Sequence, residues 1–427
     1  MDGRQSASAS TACQSLYCDE AIYILPHASG DRTDSKALGR VMPSRIHSRP
    51  MNIRLSTLTA TAALLAAVLT GCASAPDARN TSRSSDAALT GAGGLRPTAV
   101  VPESFVTDPA DGEELDSLAT WPTENGDTWL IATAKASHRL LVFDADTGAL
   151  LRSVGGKGEA LGRFKRPNGV TVQGDHLFVV ERDNHRVQAF SLPGFAPLAV
   201  FGDSALRSPY GIWIHEPVPG EYSAYVTDSF MYGEKYDRVP AWEELSERVK
   251  HFSIRFDPAN GALDARLLGQ FGDTSPEAAL RMVESIAGDP ANDRLLIADE
   301  DRRHVSTLRD YTLAGQYTGR SLPDASFGAE AEGVALWSCR DGDGYWIAVD
   351  QLAPLTVFHL FDRRTLEHRG SFKGELTSYT DGITLHSAAT RGFTGGALYA
   401  VHDDKAVTAF DLREVVRALG LNPNCTE

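Results

Sequence analysis

The sequence predicts an all-β chain folded as a six-bladed β-propeller, with a short helical insertion and a C-terminal helix. Two observations carry that expectation. A strand–turn–strand pattern recurs six times. Four of the five steps between copies run about 50 residues and one, across an insertion, about 70, close to the ~40–50 residues that a four-stranded blade requires. A chain of 427 residues has room for one large all-β domain. A β-sandwich is the structural alternative, but nothing in it imposes this period.

The N-terminal stretches come first. Residues 1–50 are polar and read as an upstream extension outside the fold, with Met51 as the functional start. Residues 51–71 read as a lipoprotein signal peptide. A single positive charge at Arg54 precedes the apolar run 55–69, and Leu69-Thr70-Gly71-Cys72 fits a lipobox that would lipidate Cys72. The run is too short to span a membrane. Residues 72–100, rich in Ala, Ser, Thr and Gly, read as a flexible tether, and 101–427 as the propeller. The expected location is the bacterial cell envelope, with Ala73 favouring the outer membrane and the lipid as the only membrane contact.

The six copies pair residues 128–133 with 140–143, 175–180 with 187–190, 224–227 with 249–252, 295–298 with 305–308, 345–349 with 355–358, and 397–401 with 406–410. Each member is a short apolar run bounded by polar turn residues. The insertion in the third copy, residues 240–248, has helical spacing. Residues 412–419 read as a closing helix stopped by Gly420. His138, His185 and His304 recur at equivalent places in their copies, which points to turn or packing roles. Asp341-Gly342-Asp343-Gly344 reads as a hairpin turn, since it lacks the rest of a calcium loop. Of five cysteines, Cys339 and Cys425 remain in the body. Two thiols in an exported chain are candidates for a disulfide, and spacing does not decide it.

Composition narrows the function. The first 71 residues hold seven Lys/Arg and five Asp/Glu, so the remainder carries 34 basic and 51 acidic residues, a net of −17. That balance argues against nucleic-acid binding and suits a protein that binds cations. There is no zinc-spaced Cys/His cluster, G-x-S-x-G elbow or P-loop. Instead five acids each open or close an apolar strand: Asp116, Glu284, Glu300, Glu332 and Asp381. The run Leu295-Leu296-Ile297-Ala298 ends abruptly in Asp299-Glu300-Asp301, a costly place for charge unless a cation sits there. Clustered carboxylates are what Ca²⁺ takes. Glu300 is the member of the trio expected to face the site, with Asp299 and Asp301 as turn residues.

From about Thr107 to Leu421 the chain resembles the phytase-like β-propellers, calcium-dependent phosphomonoesterases of phytate. Asp116-Ser117-Leu118-Ala119-Thr120-Trp121 resembles the family's D-D-P-A-I-W, and Thr133-Ala134-Lys135 its T-x-K turn. Val142-Phe143-Asp144 resembles V-Y-D, Asn168 the Asn of N-N-V-D, Glu181-Arg182 an N-R pair, and Pro209-Tyr210-Gly211 V-Y-G. Glu284-Ser285-Ile286-Ala287 is similar to E-G-M-A, and Ile297-Ala298-Asp299-Glu300-Asp301 to I-A-E-E-D. Ala331-Glu332-Gly333-Val334 resembles I-E-G-L, residues 344–348 G-Y-L-L-A, Thr380-Asp381-Gly382-Ile383 T-D-G-I, and residues 400–403 V-A-Q-D. The resemblance implies several Ca²⁺ ions on Asp116, Glu284, Glu300, Glu332 and Asp381. It implies catalytic roles for Glu300 and Glu332, with Lys135, Arg182 and Tyr210 gripping phosphate, and hydrolysis by metal-activated water. It implies a monomer acting on a small phosphoester in its calcium complex. The chain departs from the family where Leu115 replaces an acid, Ser117 a Pro, and Thr227-Asp228-Ser229 a T-G-K. Two other readings remain. Residues 162–170 and 183–187 look like NHL repeats, which would suit a non-catalytic propeller that binds a partner. A lactonase-type hydrolase with one divalent metal is the other.

Overall fold

A computed structural model describes residues 94–257 and 261–427. The upstream extension, the signal peptide, Cys72 and residues 72–93 of the tether lie outside the described residues. The chain divides into two units, Met1–Gly71 and Cys72–Glu427, and every described residue belongs to the second.

Two short strands lead in: β1 (Ala99–Val100) and β2 (Phe105–Val106). Blade one is β3 (Leu115–Pro122), β4 (Thr128–Ala134), β5 (Arg139–Asp144) and β6 (Leu150–Gly155). Blade two is β7 (Pro167–Gln173), β8 (His176–Glu181), β9 (Arg186–Ser191) and β10 (Ala196–Phe201). Blade three is β11 (Pro209–Val218), β12 (Glu221–Asp228), β13 (Val249–Phe256) and β14 (Leu263–Phe271). Blade four is β15 (Val283–Asp289), β16 (Arg294–Asp299), β17 (Thr307–Tyr311) and β18 (Tyr317–Ser321). Blade five is β19 (Ala331–Ser338), β20 (Gly344–Asp350), β21 (Val357–Asp362) and β22 (His368–Lys373). Blade six is β23 (Ile383–His386), β24 (Ala397–His402) and β25 (Ala406–Asp411). Every blade is an antiparallel meander in sequence order. The repeated pairs read from the sequence are the second and third strands of each blade. In blades four and five the third strand begins two residues later than the apolar pattern implies. At Ser306 the hydroxyl donates to Asp299 O and accepts from Ala331 N, which holds that residue in a crossing.

The first strands contact one another in a closed cycle: β3, β7, β11, β15, β19, β23 and back to β3. They surround the axis, and six apolar clusters fill the spaces between neighbouring blades. A sheet buried on both faces needs apolar side chains on both, which is why the middle strands read as continuous apolar runs rather than alternating ones. Leu295–Ala298 are all fully buried.

The ring is closed by the N-terminal strand. β2 pairs antiparallel with β25 as the outer strand of blade six, and β1 adds parallel to β22 as a fifth strand of blade five. Residues 95–100, assigned by composition to the tether, are therefore docked: Leu95 N donates to Ser326 O, and Leu95 packs on the blade-four/five core. Glu103 accepts from the backbone N–H groups of Glu375, Leu376 and Thr377. The closing helix α1 (Leu412–Leu419) is capped by the Asp411 side chain and stopped by Gly420 in the left-handed region. Cys339 and Cys425 form a disulfide across it. The insertion is a 3₁₀ turn, Trp242–Glu247. Among the described residues no helix is long and apolar enough to cross a membrane.

Candidate metal centre

The first strand of each blade meets the axis in the same local conformation. In blades one to five the pairing slips by one residue at the start of that strand, between Leu115 and Leu118, Pro167 and Val170, Pro209 and Ile212, Val283 and Ile286, and Ala331 and Val334. A bulge bends a strand and re-aims its side chains. The residue inside each bulge gives a first ring: Asp116, Asn168, Tyr210, Glu284 and Glu332. Asp381, just before β23, completes it. A Gly or Ser follows each one. The reason is close approach between blades. A Cβ on Gly211 would stand 2.2 Å from Glu284 O, and one on Gly382 2.3 Å from Asp116 O. Thr133 and Thr227 tie successive blades, donating to Asn168 O and Glu284 O at 2.7 Å each.

The same register gives a second ring, one residue past the end of each second strand: Lys135, Arg182, Ser229, Glu300, Gln351 and Asp403. In blades two to six the residue before that position has a separate task. Glu181 accepts from Lys165 N, Asp228 from Ser208 N, Asp299 from Met282 N, Asp350 from Gly328 N, and His402 from Ser378 N. Those side chains cap the loop entering their own blade. Asp299 is thus a buried cap, and Asp301 holds Arg281 and Arg303 at 2.7 Å each. Both have structural partners, and Glu300 is the acid left facing the axis.

Sequence order separates Glu284, Glu300 and Glu332, yet the fold brings one carboxylate oxygen of each within 4.8 Å of the others, all three buried. Glu300 Oε1 is buried without a hydrogen-bond partner. Burial first, and then the Glu284 and Glu332 charges, push the Glu300 carboxyl well above the usual carboxylate range. Glu332 is raised in the same way, by burial and then by Glu284 and Asp381. Three mutually repelling carboxylates with an unused oxygen fit a hard divalent cation. All donors are oxygen and no imidazole or thiolate joins them, a set that suits hard divalent cations such as Mg²⁺, Mn²⁺ or Ca²⁺.

Asp116 and Asp381 form a different arrangement. Lys135, 1% exposed, lies between them, its Nζ 3.1 Å from Asp381 Oδ2 and 3.8 Å from Asp116 Oδ2. Asn168 Nδ2 donates to Asp116 at 2.9 Å and Gln351 Nε2 to Asp381 at 2.6 Å. Burial opposes the Lys135 charge, but the two aspartates outweigh it and raise its pKa. Burial raises the Asp116 carboxyl, with Lys135 opposing. The lysine expected to grip phosphate is therefore engaged by two acids expected to hold metal. Tyr210 is a buried member of the first ring. Arg182, in the second, donates from Nε to Asp183 at 2.8 Å.

Asn168, Gln351, Ser229 and Asp403 belong to the rings but were not singled out as site residues. For Asn168 the signal was present, an axial residue followed by Gly or Ser six times, whereas Ser229, Gln351 and Asp403 carry no such mark. The histidines behave as read. His138 and His185 take left-handed backbone at φ 59° and 55°, His138 Nδ1 accepts from Arg166 N, and His304 stands edge-on to Trp242. Asp341–Gly344 is a hairpin turn closed by Cys339 N to Asp343 O.

The insertion leaves the propeller at the second-ring end of β12 and covers blade four there. Arg303 donates to Asp237 O, and Arg281 lies 5.2 Å from the Trp242 ring centroid.

Comparison with known proteins finds a repeat-family match over a short stretch of blade two. The NHL repeat matches residues 164–190. No curated protein matches the chain. Solved structures with a similar outline include three of low identity. Kuenenia stuttgartiensis hydrazine synthase shares 13% identity, covers 74% of this chain and 82% of its own, and has a TM-score of 0.43. The β-propeller domain of Myceliophthora thermophila Cps50 (Swd1) shares 11%, with 72% and 99% covered and a TM-score of 0.42. A nidogen/laminin complex shares 16%, with 61% and 80% covered and a TM-score of 0.38.

Proposed function

We propose that the protein is a calcium-dependent phosphomonoesterase that takes phytate or a related phosphoester at the axial end of the propeller. One observation carries the reading: Glu284, Glu300 and Glu332, from two neighbouring blades, converge within 4.8 Å with a buried carboxylate oxygen left unpartnered. Ca²⁺ held there would neutralise phosphate charge and polarise a phosphoryl oxygen. The residues' own tasks are positional. Glu284 and Glu332 sit on inner-strand bulges, so the metal donors are fixed by blade packing and not by a mobile loop. Glu300 closes the set from the second ring. Tyr210, next to Glu284 in the first ring, and Arg182, in the second, would be the groups that meet a phosphate, Arg182 in exchange for its bond to Asp183. Lys135 supports the reading less than the resemblance implies, because its ammonium is buried between two acids. An exported location agrees with the Cys339–Cys425 disulfide and with the lipobox, and a phosphoester taken as its calcium complex agrees with the net negative charge.

The test is release of inorganic phosphate from calcium phytate by the purified protein at neutral and alkaline pH, with and without EDTA. Release that EDTA abolishes supports the proposal. A folded protein that binds Ca²⁺ but releases no phosphate overturns the hydrolase reading and favours a non-catalytic propeller, for which the NHL match at 164–190 is the specific observation.

A further inference from the structure

The axial mouth divides into two unequal halves. One half holds three glutamates. Among the described residues, the groups that act most strongly on Glu300 and Glu332 are all carboxylates, Glu284, Glu330 and Asp381 among them. The other half holds two aspartates with an ammonium between them. We propose that the mouth binds a single divalent cation, at Glu284, Glu300 and Glu332, and that the Lys135 ammonium takes the second cation position between Asp116 and Asp381. This rests on the calcium reading above and limits it to one ion.

The argument is one of geometry and charge. In the repeat, Lys135 and Glu300 occupy the same second-ring position, in blades one and four. Glu300 adds a negative charge to its half of the mouth, and Lys135 adds a positive charge to the other. Lys135 is 1% exposed, so its stem cannot swing into solvent without opening the core between blades. Its Nζ takes hydrogen-bond distance from Asp381 Oδ2, at 3.1 Å, on the oxygen that a second metal would need. The remaining Asp381 oxygen accepts from Gln351 at 2.6 Å, and Asp116 Oδ2 accepts from Asn168. A second divalent ion would have to displace a buried ammonium or sit beside it against like-charge repulsion. No such obstacle stands at the glutamates, where Glu300 Oε1 is buried and unpartnered. Asn168 Oδ1 is also buried without a hydrogen-bond partner. It would become a third oxygen donor beside Asp116 and Asp381 if the ammonium were removed.

The consequence is a division of labour. One blade group provides the metal, and Lys135 keeps the opposite half neutral enough to pack without one. Phosphate contact then falls to the metal, Tyr210 and Arg182.

The test counts calcium ions by isothermal titration calorimetry on the purified protein, assigning to the mouth only ions that mouth substitutions remove or add. The wild type should lose one ion on Glu300→Gln and none on Asp381→Asn. Lys135→Met, which keeps the stem and drops the charge, should gain one ion, with circular dichroism confirming the fold. If Lys135→Met does not fold, the Asp381→Asn count still decides. Loss of an ion on Asp381→Asn overturns the one-ion proposal and leaves the calcium reading standing. A folded Lys135→Met protein that gains no ion overturns the assignment of Lys135 as the built-in cation. A wild type with no ion sensitive to Glu300→Gln overturns the calcium reading itself.

Discussion

Removing the Glu300 carboxylate should abolish the thermal stabilisation that calcium confers, and the size of that stabilisation can be worked from the site. Glu284, Glu300 and Glu332 place oxygens within 4.8 Å of one another. At that distance, in an effective dielectric of about 20, each pair of ionised carboxylates repels by roughly 3–4 kcal/mol. A divalent cation between them adds attractions that outweigh that repulsion. A site of this kind, with a dissociation constant of ~10 µM, gains about 2.7 kcal/mol at 100-fold excess of free Ca²⁺. About 330 ordered residues, each contributing ~2.1 cal/mol/K to the unfolding entropy, convert that into a rise in melting temperature of about 4 °C. The assay is a melting curve in EDTA and in millimolar Ca²⁺. The wild type should shift by several degrees and Glu300→Gln should not shift, since the amide removes one charge and one strong donor while keeping the side-chain volume. A wild type indifferent to Ca²⁺, or a Glu300→Gln protein that keeps the full shift, would refute the reasoning.

Three further outcomes are expected. Gly211→Ala places a Cβ 2.2 Å from Glu284 O; the backbone shift should cost roughly 1–3 kcal/mol and weaken calcium binding by displacing Glu284, which calorimetry would read. Arg363 holds Asp289 through two bonds of 2.6 Å, between blades four and five. Burial alone would raise the Asp289 carboxyl, but the Arg363 and Asn292 hydrogen bonds outweigh it and hold it below its usual range. The carboxylate's contribution is therefore full above the ordinary carboxylate range and lost as pH falls through the lowered value. Asp289→Asn should cost about 3–5 kcal/mol at neutral pH and flatten the acid limb of the stability curve, as denaturant titration would show. Finally, Cys425→Ser opens a bridge between residues 86 apart in sequence. The loss should be about 4.6 kcal/mol by chain-entropy reasoning, seen as a lower denaturant midpoint that reductant does not lower further.

How much of this was legible before folding is clearest at particular residues. The apolar runs at 128–133 and 295–298 announced buried strands because a blade is covered on both faces, so nearly every side chain had to be apolar. Gly420 announced the end of α1 because only a residue tolerant of left-handed backbone could stop the helix there. Glu284, Glu300 and Glu332 stood out because charge at the end of a buried strand needs a reason. The run at 95–100 was misplaced because its composition is that of a tether. What holds it is a parallel pairing with β22, more than 270 residues away, and no local pattern records that.

The sequence alone therefore determined the repeat, the number of blades and the acids that could meet at the axis, because each blade carries its strand pattern locally and in order. It left the pairing of charges undecided. That Glu300 joins two glutamates, while Lys135 at the same position of another blade neutralises Asp116 and Asp381, was decided by closure of the ring. Only closure sets blade six against blade one, and so places Asp381 and Lys135, 246 residues apart, within reach of each other.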